Sequence, residues 1–151
     1  MNEASPRPTA QRTVLVVDDQ SAVRTSIAFF LEISGYRTFK AESGEAAMDL
    51  LRKERIDGVL MDVQMPTLNG FETSVRLHEI AREANRPVKI WFMTGISYRE
   101  LKDDCAKAGG ISVFQKPFDW PALLAEFERR LPGLPSFSRQ DAVPSPSSAP
   151  A

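Results

Sequence analysis

Five short apolar runs constrain this chain more than any other feature, because each is followed by a segment with apolar residues at helical spacing. Thr13–Val17 (T-V-L-V-V) is β-branched and continuous. Val23, Ile27, Phe30 and Leu31 then take up the helical period, and Gly35 supplies a C-terminal stop. Tyr36–Ala41 predicts a second, weaker strand, interrupted by Arg37 and Lys40. Ser43 is placed to cap a helix from Gly44 to about Lys53, with Ala47, Leu50 and Leu51 inward and Glu45 in the first turn. Ile56–Met61 predicts a third strand that stops on Asp62. A loop with Pro66 and the turn pair Asn69-Gly70 follows, then a helix over about Phe71–Ala84. Val88–Met93 predicts a fourth strand, stopping on Thr94-Gly95. Ser97-Tyr98-Arg99-Glu100 has capping-box spacing, and its helix runs to the Gly109-Gly110 pair. Ile111–Gln115 predicts the fifth strand, stopping on Lys116-Pro117. Asp119 caps a last helix with Leu123, Leu124, Phe127 and Leu131 at helical spacing.

Strands alternating with helices over short connections specify a parallel sheet covered on both faces. The fold class is α/β: a doubly wound five-stranded parallel sheet with five helices, in three layers. One domain is expected over residues 12–131, between a disordered segment 1–11 and a Pro/Ser-rich disordered tail 132–151. The composition, 42% hydrophobic and 26% charged, suits a globular core. Nineteen Lys+Arg against twenty Asp+Glu leave a net charge of −1, so no basic excess points to nucleic acid or an anionic membrane. Cys105 is the single cysteine and makes no intramolecular disulfide. No run approaches the ~18 apolar residues of a membrane span. Met1–Gln11 lacks the apolar core of a signal peptide. A soluble, cytoplasmic protein is expected.

The strand ends carry the chemistry. The first brings Asp18 and Asp19, the third Asp62, the fourth Thr94 and the fifth Lys116. In a doubly wound sheet these ends share one rim, where ligands bind. Clustered carboxylates repel, and a cation relieves that repulsion. Oxygen donors suit magnesium, which takes one or two carboxylates and keeps waters and a phosphate oxygen. His78 and Cys105 form no cluster for zinc. Lys116 suits a phosphate oxygen, and Thr94 can donate a hydroxyl hydrogen bond. A carboxylate beside the metal can attack phosphorus, and Asp62 on the central strand is best placed to do so.

Asp18-Asp19, then Asp62 with Met65-Pro66 and Gly70, then Thr94-Gly95, then Lys116-Pro117-Phe118 together resemble the receiver domain of two-component response regulators, over about residues 12–131. The resemblance implies a flavodoxin-like fold and a stand-alone phosphoacceptor switch in phosphorelay signalling, not an enzyme. It implies transfer of a phosphoryl group to Asp62 from a histidine kinase or phosphotransfer protein. Asp19 and Asp62 would hold Mg2+ directly with the Gln64 backbone carbonyl, and Asp18 through a water. Thr94 would move toward the phosphoryl group and Lys116 would neutralise it. A cis bond is implied at Lys116-Pro117, and a downstream protein partner for a monomer or weak dimer.

Two positions depart from the pattern. Val113 stands where the family's switch aromatic is usual, and Phe114 beside it points to the opposite face. Gln20 stands where another acid is common. Two other readings compete: a pseudo-receiver that binds without being phosphorylated, and a magnesium-dependent phosphatase using an aspartyl-phosphate. Against the phosphatase, Gln64 stands where such enzymes place a second Asp. Trp91 and Phe92 are expected in the core or at the sheet edge, Cys105 half-buried, and His78 on a solvent-facing helix surface.

Overall fold

The computed structural model describes residues 11–131. The segments expected to be disordered, 1–11 and 132–151, lie outside the described residues except for Gln11. The chain runs β1 (Thr13–Val17), α1 (Ser21–Ile33), β2 (Arg37–Ala41), α2 (Gly44–Lys53), β3 (Gly58–Asp62), α3 (Gly70–Glu83) and β4 (Lys89–Thr94). A 3₁₀ turn (Tyr98–Leu101), α4 (Lys102–Lys107), β5 (Val113–Gln115) and α5 (Trp120–Arg130) complete it. All strand pairings are parallel, in the order β2-β1-β3-β4-β5. This is the expected doubly wound sheet.

Alternation along each strand divides the core. Leu15, Val17, Val59, Met61, Ile90 and Phe92 face one side, with Ala47 and Leu51 of α2, Leu77 and Ala81 of α3, and Cys105 of α4. Val14, Val16, Leu60, Trp91 and Met93 face the other, with Ile27 and Leu31 of α1 and Leu123 and Phe127 of α5. A strand buried on both faces must be apolar at every position, which is why β1, β3 and β4 read as continuous runs. Trp91 is wholly buried, and its indole N–H donates to Glu126 Oε2 at 3.1 Å. Arg129 and Arg130 flank that carboxylate.

Local signals explain most of the boundaries. Ser43 Oγ accepts from the Ala46 N–H at 3.1 Å. Asp119 Oδ1 accepts from the Ala122 N–H at 3.2 Å. Gly35, with φ 101°, ends α1 in the left-handed region. Two expectations are corrected. The Ser97 side chain makes no capping bond, and its segment opens as a 3₁₀ turn before a short α4. The capping box lies instead at α3. There Asn69 Oδ1 accepts from Glu72 N–H at 2.9 Å, and Glu72 Oε1 accepts from Asn69 N–H at 3.1 Å.

His78 is also not a bare surface residue. It is half-buried, and its Nε2 lies 2.9 Å from the Gly109 carbonyl, so that nitrogen carries the proton. Ser74 Oγ donates to the Ala108 carbonyl at 2.8 Å. Together they tie the last turn of α4 to α3. Cys105 is fully rather than half buried, since it packs under the sheet beside Phe92.

Gly70 follows the loop after β3 and starts α3 against the strand's own backbone. A Cβ there would lie 2.3 Å from the Asp62 carbonyl oxygen and 2.9 Å from Val63 Cα. Gly70→Ala should therefore cost about 2 kcal/mol or more of stability in denaturant melts. A loss under about 0.5 kcal/mol would show that the loop yields. The Tyr36 hydroxyl is buried with no hydrogen-bond partner. Burial, then the nearby Glu128 charge, push its pKa up. Tyr36→Phe should leave stability unchanged or raise it by up to about 1 kcal/mol. A comparable loss would reveal a partner for the hydroxyl.

Candidate functional site

Strand register assembles the site. Val17 pairs with Met61, so Asp18 and Asp62 end neighbouring strands at one level. Asp62 pairs with Met93, so Thr94 lies one residue further along β4. Thr94 in turn pairs with Gln115, so Lys116 follows it. Asp18, Asp19 and Asp62 each bring a carboxylate oxygen within 4.8 Å of the other two. Asp18 and Asp62 are buried, and Asp19 is exposed.

Lys116 Nζ lies 2.9 Å from Asp18 Oδ2 and 3.8 Å from Asp62 Oδ2. Asp18 Oδ1 accepts from the Gln20 N–H at 2.8 Å, and Asp62 Oδ1 from the Gln64 N–H at 3.2 Å. Thr94 is wholly buried, and its Oγ1 accepts from the Ile96 N–H at 3.1 Å. The hydroxyl hydrogen is thereby left for another acceptor. Ile96 itself is 42% exposed beside this turn. The Lys116-Pro117 bond is cis.

Two unit charges at the spacing of these acids repel by roughly 3 kcal/mol at an effective dielectric near 20. One lysine does not balance three carboxylates. The burden falls on Asp62, whose pKa rises to about 6. Burial is the largest cause. Lys116 and the Gln64 N–H pull the value down, while Asp18 and Asp19 push it up. The donor set is oxygen alone, converging and under-neutralised, which fits a hard divalent cation such as Mg2+. His78 and Cys105 sit elsewhere, on α3 and α4.

The remaining sequence expectations divide cleanly. Val113 packs toward the α2–α4 layer, while Phe114 packs toward the α1/α5 layer, with its ring 6.5 Å from Phe118. The two do point to opposite faces. One contact was not anticipated: Arg24 Nη1 donates to the Asp18 carbonyl at 2.8 Å. The signal lay in its place. A cation near a helix N-terminus opposes the macrodipole and needs local acceptors.

Comparison with known proteins places the fold in a family. The family model described as the response regulator receiver domain matches residues 14–128. Sporulation initiation phosphotransferase F of Bacillus subtilis is 30% identical over 119 residues, covering 79% of this chain and 93% of that protein. Response regulator MprA of Mycolicibacterium vanbaalenii is 34% identical over 118 residues, covering 78% of this chain but 49% of that protein, so there the match spans about half of a longer chain. The structure of chemotaxis protein CheY4 of Vibrio cholerae superposes with a TM-score of 0.73 at 29% identity, covering 81% of this chain and 100% of that one. The family model covers nearly all of the described fold, and the chain belongs to the response regulator receiver family.

Proposed function

We propose that this receiver is a phosphoacceptor switch, with Asp62 as the acceptor and residues 12–131 as the working unit. The observation that carries the reading is the convergence of Asp18, Asp19 and Asp62 within 4.8 Å, beside Lys116. The donor would be a phosphohistidine on a histidine kinase or phosphotransfer protein. The likeness to a protein named a phosphotransferase supports that choice. Asp19 and Asp62, with the Gln64 backbone carbonyl, would hold Mg2+ directly, and Asp18 through a water. When bound, the ion supplies the positive charge that lets a carboxylate approach a phosphoryl group.

The chain's own groups do the rest. An Asp62 oxygen forms the bond to phosphorus as the P–N bond to the donor imidazole breaks, and the electron pair returns to the ring nitrogen. Lys116, now shared between Asp18 and Asp62, would turn to a phosphoryl oxygen. Thr94 would donate its free hydroxyl hydrogen to another. Rearrangement of the turn after Thr94 would then alter a surface for a downstream protein or for onward phosphotransfer. The protein would act as a switch and not as a turnover enzyme. No described helix is long and apolar enough to cross a membrane. A cytoplasmic setting, as monomer or weak dimer, completes the proposal.

Incubation with Mg2+ and acetyl phosphate, followed by intact-mass measurement, should add one phosphoryl group to the wild type and none to Asp62→Asn. Addition to both, or to neither, would defeat the assignment; the second result would favour a pseudo-receiver.

Asp62 also makes stability depend on pH. Its folded pKa lies above the ordinary 3.8, so the folded state holds this proton more tightly. The contribution is complete below about pH 4 and is lost as the pH rises through about 6. In EDTA at pH 7.5, Asp62→Asn should be more stable than wild type by roughly 2–3 kcal/mol, and the gain should vanish near pH 4. Equal stability at both pH values would mean the Asp62 charge costs the fold nothing.

Ile96→Ala should shorten the lifetime of the phosphorylated form, because Ile96 flanks the turn that Thr94 holds. A lifetime equal to or longer than wild type would show that this side chain does not shield the site from water.

A further inference from the structure

We propose that Arg24 is a positioning residue that sets the direction of the Asp19 carboxylate by clamping the peptide between Asp18 and Asp19. The inference rests on the cation site proposed above. Asp18 is held on every side: its N–H donates to the Ala41 carbonyl at 3.2 Å, and its two carboxylate oxygens accept from Gln20 N–H and Lys116. Its own carbonyl accepts from Arg24 Nη1 at 2.8 Å. Asp19 is the opposite case. It is exposed, and its carboxylate makes no hydrogen bond or salt bridge among the described residues. Only its backbone holds it in the cluster.

A peptide unit is planar, so fixing the Asp18 carbonyl fixes the plane that also contains the Asp19 nitrogen and Cα. With that plane set, Asp19 leaves the rim in one direction. Arg24 is suited to the task. It sits half-buried in the early part of α1, one helical turn after Gln20, whose carbonyl accepts its N–H at 3.0 Å. A rigid helix thus carries the clamp, and the guanidinium reaches back over the loop it must hold.

A simpler role would be counter-charge, and the two roles predict opposite signs. If Arg24 served only as a positive charge beside the acids, Arg24→Ala would bind Mg2+ more tightly, since a competing cation is gone. If it positions Asp19, Arg24→Ala binds Mg2+ more weakly, by about tenfold, as for other groups that orient a metal's ligands. Arg24→Lys keeps the charge and a donor and should recover part of the loss.

The test is thermal stability against Mg2+ concentration for the full chain, with the metal-free melting temperature of each variant as the control for folding. In a double-mutant cycle, Asp19→Asn should cost less affinity in Arg24→Ala than in the wild type, because the clamp acts through Asp19. Should Arg24→Ala fold poorly, Arg24→Lys carries the same cycle. A wild type that responds to Mg2+, with Arg24→Ala binding as tightly or more tightly, or with additive losses in the cycle, overturns the role of Arg24 alone. A wild type that gains nothing from Mg2+ overturns the cation site and the role of Arg24 with it.

Discussion

The pair between Lys116 and Asp18 is the interaction on which the site depends. Asp18 is wholly buried, and a buried carboxylate is tolerated only when its charge and lone pairs are met. A lysine 2.9 Å away, just past β5 and three strands across the sheet order from β1, meets one of them. Because the two ends of this pair arrive from opposite sides of β3 and β4, it spans the place where Asp62 and Thr94 emerge. One lysine against three acids leaves the cluster negative. That imbalance is what the proposed cation would relieve.

The rest of the fold holds these few atoms still. Each candidate side chain sits at or just past the end of a strand, and β1, β3 and β4 are packed on both faces. β4, which delivers Thr94, is secured beyond its ladders as well. Its Trp91 indole is bonded to Glu126, and Lys89 Nζ reaches the Arg130 carbonyl at 2.6 Å, so two groups on one strand grip α5. Gly70 brings α3 against the backbone of Asp62 itself. After β1 and β2 the helices start within two or three residues, and the loop after β3, residues 63–69, is the longer one at the rim.

Much of this could be read from the chain alone, for a physical reason. Parallel strands buried on both faces leave long apolar signatures, so a polar residue that ends one stands out. Asp18, Asp62 and Thr94 stand out that way, and Lys116, after the short half-buried β5, less sharply. Capping was harder to read. Ser97 and Glu100 have the spacing of a capping box, yet Asn69 and Glu72 form it, because spacing alone does not say which backbone adopts the extended entry conformation. Asn69-Gly70 also has the form of a turn pair, and that form hides the reciprocal bond to Glu72. His78, Ser74 and Arg24 were illegible for a different reason. Each acts on a backbone carbonyl of another element, and no pattern of side-chain types records where a carbonyl points.

The bonds from Ser74 and His78 to Ala108 and Gly109 also give α4 a mechanical character. Its trailing end is bolted to a neighbour, while its leading end begins in a 3₁₀ turn without a side-chain cap, just after the turn that the Thr94 hydroxyl holds. A rod tethered at one end is free to turn about it but not to slide. Were the proposed switch to move the Thr94 turn, α4 would swing about its tethered end at Gly109, with the largest travel nearest the acidic rim.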